Sequence, residues 1–251
     1  MGRVIMSGQV SMMQVQVPTG RVVKIMEDGI ASDWTIVHVG NPDPSFYDSS
    51  CNGIWLFRNK VYCLATDTFD TPYKEASEIW PNTDMCTYLN STFYNKFDSV
   101  TKSKIKECKI PYFSAYGASG ECRVSRGSNG ATVKLFEPSA YELDPTGYNQ
   151  TIYTNNLDGI MYDGKCLNYF NTSDAASLRT CSGDGPAYGS NSNSVTYYCR
   201  TLGATCNWYV YIDGTNGTMG AIGKYGASNI RPMMILDKST KFDSDGYIIS
   251  D

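Results

Sequence analysis

The run NWYVYIDGTNGTMGAIG at residues 207–223 reads as a β-hairpin. Side chains alternate across a strand with a period of two, so Trp208, Val210 and Ile212 share one face while Tyr209 and Tyr211 share the other. Asp213-Gly214 and Asn216-Gly217 supply the turn, because glycine takes positive φ without steric cost. One face suits a core and the other presents tyrosine.

Working outward, the wider stretch 181–230 holds nine Gly, six Tyr, five Ser and five Asn, with only Asp184, Arg200, Asp213 and Lys224 charged. Solubility alone does not explain so little charge in loops. Tyrosine gives a large, stiff contact area with few rotamers to freeze, which suits binding loops. The loops 183–194 and 213–229 are therefore the candidate binding surface, with Tyr188, Tyr209, Tyr211, Tyr225 and Asn216 as the residues that would touch a ligand. Downstream, IRPMMIL (230–236) reads as a strand and Asp245-Gly246 as a closing turn.

Upstream, RVVKIM (21–26) and WTIVHV (34–39) read as strands around the turn Glu27-Asp28-Gly29. GIWLFR (53–58) and VYCLAT (61–66) form a second pair, and the Asn59-Lys60 link is short enough for a hairpin. After Pro81, Asn82 or Thr83 can cap a helix in which Met85, Tyr88, Leu89, Phe93 and Phe97 follow helical spacing. Asp98 or Ser99 opens a second helix expected to run through Cys108 with its lysines outward, stopping before Ile110-Pro111. TVKLF (132–136) is a strand, Pro138-Ser139 opens a helical turn, and KCLNYF (165–170) is a short buried element. Residues 1–17, rich in Met and Gln, read as an N-terminal attachment arm, and residues 18–251 as a single globular domain. The fold class expected is α+β: short β-hairpins with two short helices.

Composition narrows the function. The 251 residues carry a net charge of −4 with no basic run, so nucleic acid, which is bound through clustered Lys and Arg, is not an expected partner. No stretch approaches the roughly 18 apolar residues of a membrane span, and the N-terminus lacks an apolar core of signal-peptide length. No membrane insertion and synthesis in the cytosol without an export signal are the expectations. The nine cysteines are odd in number, irregular in spacing and without a C-x-x-C pair, which predicts mostly reduced thiols rather than a zinc site or a disulfide framework.

Catalytic chemistry has few candidates. His38 is the single histidine and lies in an alternating strand, which favours a structural role over a general base. The carboxylates lie mostly in turns such as Asp43, Asp163, Asp184 and Asp213, with no pair to prefer for glycoside hydrolysis. Glu137-Pro138-Ser139 and Asn207-Trp208-Tyr209 echo the calcium motifs of sugar-binding lectins but lack the ligating Asn and Asp, so no metal and no cofactor are expected. Trp208 reads as hairpin core. Arg200 and Arg231, each in a strand among aromatics, read as structural, holding carbonyls or a carboxylate through the five fixed donors of guanidinium.

Several strings occur in order: CTYLNSTFYNKFDSVTKSKIKECKIPY (86–112), TVKLFEPSAYEL (132–143), KCLNYF (165–170), TYYCRTLG (196–203), the hairpin, and SNIRPMMIL (228–236). Together they resemble a domain-of-unknown-function family of Firmicute phages, prophages and surface proteins, over roughly residues 20–250. That family carries a "WLN–F–L" helix, an "F-L-L-S–E" strand-turn, a "WW-L-R-S-P" strand and a "G-V-R-P-A" ending. Tyr88-Leu89-Asn90, Leu135-Phe136-Glu137-Pro138-Ser139, Tyr197-Tyr198-Cys199-Arg200-Thr201 and Ile230-Arg231-Pro232-Met233 stand at those positions, with a Tyr pair for the Trp pair and Met233 for Ala. The ending is also similar to that of C-type-lectin-like and formylglycine-generating-enzyme-like folds, though no cysteine motif of the latter enzymes is present.

The resemblance implies a C-type-lectin-like scaffold and no established activity, since fold does not fix function. The expectation drawn is a non-enzymatic phage virion protein (tail-tip, fibre-associated or head-decoration), located in the virion. It would join other virion proteins through residues 1–17, form a homo-oligomer, and present its loops to a host cell-surface glycan or protein or to a virion component. A carbohydrate-active or modifying enzyme on the same fold is the alternative.

Overall fold

The computed structural model of the chain describes residues 17–64, 79–116, 122–144, 163–186, 195–202, 208–223 and 229–250, with the backbone alone at 115, 116, 122, 202, 208, 209 and 221–223. The arm predicted at 1–17 thus lies outside the described residues except for Val17, which packs against the core.

The first two runs form an antiparallel pair, β1 (Val22–Glu27) and β2 (Ile30–Gly40). Asp28 and Gly29 join them, with φ of 50° and 78°. Positive φ at both central residues makes a tight two-residue turn whose twist matches that of the strands.

β3 (Gly53–Arg58) and β4 (Val61–Cys63) follow, and here the sequence expectation fails. They are not a hairpin: β3 pairs with β2 and with the late strand Met233–Leu236, while β4 belongs to a different sheet. Asn59-Lys60 is a corner at which one strand bends from sheet to sheet. The partner chain bends beside it, since Arg231-Pro232 separates Asn229–Ile230, opposite β4, from Met233–Leu236, opposite β3. Proline lacks a backbone N–H and breaks a ladder, yet its carbonyl still accepts from Arg58 N–H at 3.1 Å. The apolar run of β3 has both faces buried, so alternation could not reveal the bend.

The helical segment comprises α1 (Asp84–Tyr88), a wider turn over Leu89–Phe93 and a tight turn over Tyr94–Lys96. Thr83 caps it by accepting from Cys86 N–H. Asp98 caps α2 (Ser99–Lys104) by accepting from Thr101 N–H. α2 stops at Lys104, short of the expected Cys108. Ile105 is extended and buried, Lys106 N–H donates to the Ile235 carbonyl, and Cys108 opens a strand: sheet partners take the backbone bonds that another helical turn would have made.

The remaining strands are β5 (Cys108–Ile110), β6 (Tyr112–Tyr116), β7 (Cys122–Ser125), β8 (Ala131–Val133), β9 (Leu135–Phe136), β10 (Gly183–Asp184), β11 (Thr196–Leu202), β12 (Trp208–Asp213), β13 (Met219–Gly223), β14 (Asn229–Ile230) and β15 (Met233–Leu236), with α3 (Ala175–Arg179) before β10. The expected strand at 132–136 is broken at Lys134 into β8 and β9. The Asn90 side chain occupies the break: its Oδ1 accepts from Lys134 and Leu135 N–H at 2.8 and 3.0 Å, and its amide donates to the Leu135 carbonyl at 2.8 Å.

The result is an α+β fold, mostly sheet, with short helices and open sheets. The largest sheet has the order β1-β2-β3-β15-β9; smaller ones are β10-β4-β14, β11-β12-β13, β5-β8 and β6-β7. All of these pairings are antiparallel except β10 with β4. Strand alternation sorts the core into two bodies. Trp55, Phe57, Met233 and Ile235 point into one, with Phe136, Phe170 and Tyr197. Ile54, Leu56, Met234 and Leu236 point into the other, where the helical segment contributes Met85, Leu89, Phe93 and Phe97.

Candidate functional site

β12 and β13 form the predicted hairpin, with β11 on the other side of β12. Val210 and Ile212 are buried. Tyr211 lies half-buried opposite Gly220 and beside Tyr198. A Cβ on Gly220 would stand 2.4 Å from the Tyr211 ring, so the absent side chain lets that ring lie across the neighbouring strand. Trp208 and Tyr209 are placed in β12 by their backbone.

The hairpin tip is docked rather than free. Gly217 has φ of 72° and sits so close to α3 that a Cβ would fall 1.8 Å from the Ala176 carbonyl oxygen. Arg179 Nε donates to the Gly217 carbonyl at 2.8 Å, and Cys181 N–H to that of Gly214 at 2.8 Å. Asn216 is exposed on this tip, its Oδ1 accepting from Thr218 N–H and Oγ1 at 2.9 and 2.7 Å.

Tyr188 and Tyr225 lie outside the described residues, but the chain flanking them is placed. β4 runs between β10 and β14, with Tyr62 opposite Asp184 and Cys63 opposite Asn229. A Cβ on Gly185 would meet the Cys63 carbonyl oxygen at 2.8 Å. The chain therefore enters 187–194 and leaves 224–228 at one corner, the end of β4. Cys181, at the hairpin tip, leads through β10 to Gly185 at this corner.

Beneath these surfaces lies a wiring that the sequence did not display. Four arginines, Arg58, Arg179, Arg200 and Arg231, are buried. Arg200, in β11, uses all five N–H groups: Nε to the Pro111 carbonyl, Nη1 to the Glu137 carbonyl and Glu142 Oε2, Nη2 to Glu142 Oε1 and the Asp163 carbonyl, at 2.5–3.0 Å. Glu142 also accepts from Tyr47 Oη at 2.8 Å and from Ser139 N–H at 2.9 Å. The latter contact belongs to a capping box, Ser139-x-x-Glu142, which fixes the carboxylate at the helix start. Asp163 Oδ1 takes hydrogen bonds from Ser139 Oγ and Thr201 Oγ1 at 2.5 and 2.8 Å. Trp80 Nε1 donates to Glu137 Oε2 at 2.7 Å.

Glu137 Oε1 and Asp163 Oδ2 are buried without a hydrogen-bond partner. Burial, which disfavours the charged form, pushes the carboxyl of Glu137 up to about 7 and that of Asp163 to about 6. Arg231, which follows β14, donates from Nε to the Arg58 carbonyl and from Nη1 to the Arg179 carbonyl, both at 2.7 Å, and stacks on Phe57 with 4.1 Å to the ring centroid. Arg58 in turn grips Glu27 and Asp184 through paired bonds of 2.8–3.2 Å. His38 is buried edge-on to Trp55 with Nδ1 facing Asn168 N–H at 3.5 Å, and burial lowers its pKa.

Asp163 and Asp184, read from sequence as turn carboxylates, are partners of this wiring, and Glu137, Glu142 and Tyr47 were not singled out for it. The Ser139-x-x-Glu142 spacing was the one local signal that could have exposed it. Among the described residues, no group of three or more His, Cys, Asp or Glu side chains is placed to hold a metal ion, and no helix is long and apolar enough to cross a membrane.

A family profile described as "Domain of unknown function (DUF6273)" matches residues 52–238. Neither the search of curated proteins nor that of solved structures returned a match. Asn90, Glu137, Ser139, Arg200, Arg231 and Pro232, which carry the motifs of the sequence resemblance, all fall within the matched span. They are the residues that seal the β8–β9 break, saturate the buried guanidinium and turn the ribbon at its corner.

Proposed function

The chain belongs to the DUF6273 family, and on that premise we propose that it is a binding module rather than a catalyst. In this reading it is a structural component of a phage particle, at the tail tip, on a fibre or on the head, attached through residues 1–17. Its tyrosine-rich loops meet a host-surface glycan or protein, or a neighbouring virion component. The scaffold proposed is C-type-lectin-like; what favours it is the presence of a glycine-rich hairpin, β12–β13, together with an Arg-Pro link that leads into β15 inside the largest sheet.

The observation that carries the reading is the corner at β4. Gly185 and Asn229 both meet Cys63, and each borders a segment, 187–194 or 224–228, whose sequence is poor in charge and holds a tyrosine. Tyrosines in polar, glycine-bearing sequence next to paired strands suit contact area at low entropic cost. The interior adds support. His38 and the Glu142, Asp163 and Glu137 carboxyls are buried and engaged in the interior, which favours a structural role for them over acid–base work.

Replacing Tyr188 and Tyr225 together with Ser should leave the melting temperature unchanged. Adsorption of particles to host cells, or occupancy of the protein on the particle, should fall about tenfold or more, as loss of two anchors at ~1 kcal/mol each implies. Unchanged adsorption together with unchanged occupancy would overturn the reading.

A further inference from the structure

The nine cysteines carry no paired spacing, yet the fold brings two of them together. Ser49–Cys51 forms a tight turn in the connection from β2 to β3, capped by Asp48, and it packs on β5. Three contacts cross between the two segments. Lys109 N–H donates to Ser50 Oγ at 2.9 Å, Cys51 Sγ donates to the Lys109 carbonyl at 3.3 Å, and Cys108 Sγ donates to the Ser50 carbonyl at 3.1 Å. Each thiol thus bonds to the backbone of the segment that carries the other. Both are buried, with Cys51 0% and Cys108 1% exposed.

We propose that Cys51 and Cys108 are a cryptic disulfide site that closes when the chain meets an oxidising, low-molecular-weight disulfide. A disulfide requires Cβ atoms about 3.5–4.5 Å apart, and the reciprocal thiol-to-carbonyl bonds hold the two segments in side-chain contact. The bond would tie the β2–β3 connection to β5, enclosing β3, β4 and the helical segment. The inference does not depend on the attachment reading. With oxidised glutathione the step balances: the sulfur of one cysteine displaces one glutathione thiolate to give a mixed disulfide, and the second cysteine attacks that bond and displaces the other. Two glutathione molecules leave carrying the two cysteine protons, and the oxidant is reduced as the protein dithiol is oxidised.

Burial argues for slow exchange in the folded state. The neighbouring Cys51 thiol, first, and burial, second, hold the Cys108 thiol protonated well above its ordinary range, and the thiolate is the reactive form. The bond is therefore expected to form during folding or on local opening.

The test refolds the reduced full chain in excess oxidised glutathione, blocks remaining thiols with an alkylating reagent and maps the peptides. Before blocking, the expected product is two hydrogen masses lighter than the reduced chain; after blocking it carries seven alkyl groups on its nine cysteines and one link, Cys51 to Cys108. It should melt several degrees higher than the reduced chain, as closing a long loop implies. Dithiothreitol should abolish the difference, and Cys108→Ser should lack it. A map in which Cys51 or Cys108 is alkylated, or joined to a different cysteine, overturns the proposal without recourse to any variant. Equal melting of the linked and reduced chains would overturn the tie between the two segments.

Discussion

Arg58 and Arg200 are both saturated guanidinium groups at strand positions, but their surroundings differ in one respect that matters. Arg58 holds Glu27, which is buried, and Asp184, whose side chain is about a third exposed. The negative charge in excess of the arginine therefore reaches water. Arg200 sits among Glu142, Asp163 and Glu137, all fully buried, and two of their oxygens have no partner. Three carboxyls around one guanidinium cannot all ionise away from solvent, so the surplus is relieved by protons instead. The comparison teaches that a buried ion pair is set by the charge it leaves over as much as by the bonds it makes.

The sharpest way to break the comparison is to remove each arginine. Arg200→Met leaves Glu142 buried and unpaired and is expected to cost about 3–5 kcal/mol, seen as a melting temperature about 6–20 °C lower or as loss of folded protein. Arg58→Met should cost less, because Asp184 can turn to solvent; equal losses in urea melts would erase the distinction drawn here.

The next effect is pH. A carboxyl whose folded pKa lies above its unfolded one keeps its proton longer in the folded state, so its contribution favours folding at low pH. That contribution is lost as pH rises from about 4 through the values near 6 and 7 for Asp163 and Glu137. Stability should therefore fall between pH 5 and pH 8 by on the order of 3 kcal/mol, and Glu137→Gln should flatten the profile. Melting that rises across this window would contradict the account. The smallest effect concerns the residue that bridges the regions. Arg231→Ala removes the Arg231 donor from the Arg58 carbonyl, while the Arg179 carbonyl keeps its hydrogen bond from Tyr197 Oη, so the expected cost is roughly 1–3 kcal/mol for one buried acceptor. A variant of unaltered stability that had lost binding would move Arg231 from the scaffold to the site.

What the sequence showed, and what it hid, follows the range of the interactions. The turn at Asp28-Gly29, the caps Thr83 and Asp98, and the alternation of Val210 and Ile212 are local, and local patterns predicted them. The break at Lys134 is made by Asn90, far back in the chain, so TVKLF alone reads as one strand. The corner at Asn59-Lys60 exists because Arg231-Pro232 turns beside it, and a short link between apolar runs looks like a hairpin in isolation. α2 ends at Lys104 because β15 takes the next backbone bonds, a partner met much later in the sequence. Asp163 looks like any turn carboxylate until Ser139, Thr201 and Arg200 close around it. Composition singles out the candidate loops, but the meeting of Gly185 and Asn229 at Cys63 could not be read from it, because strand order is a property of the whole fold.

The bent ribbon has a consequence for biosynthesis. Ile54 pairs with Leu236 and Phe57 with Met233, so a buried central strand must wait for a partner made late. At about 5–20 residues per second, translation of the roughly 180 intervening residues takes on the order of 10–40 s. Throughout that interval GIWLFR is an apolar segment with an open edge, of the kind that pairs with other nascent chains. Production of this domain should therefore respond more to chaperone supply and to lower growth temperature than to any stabilising substitution in the finished fold.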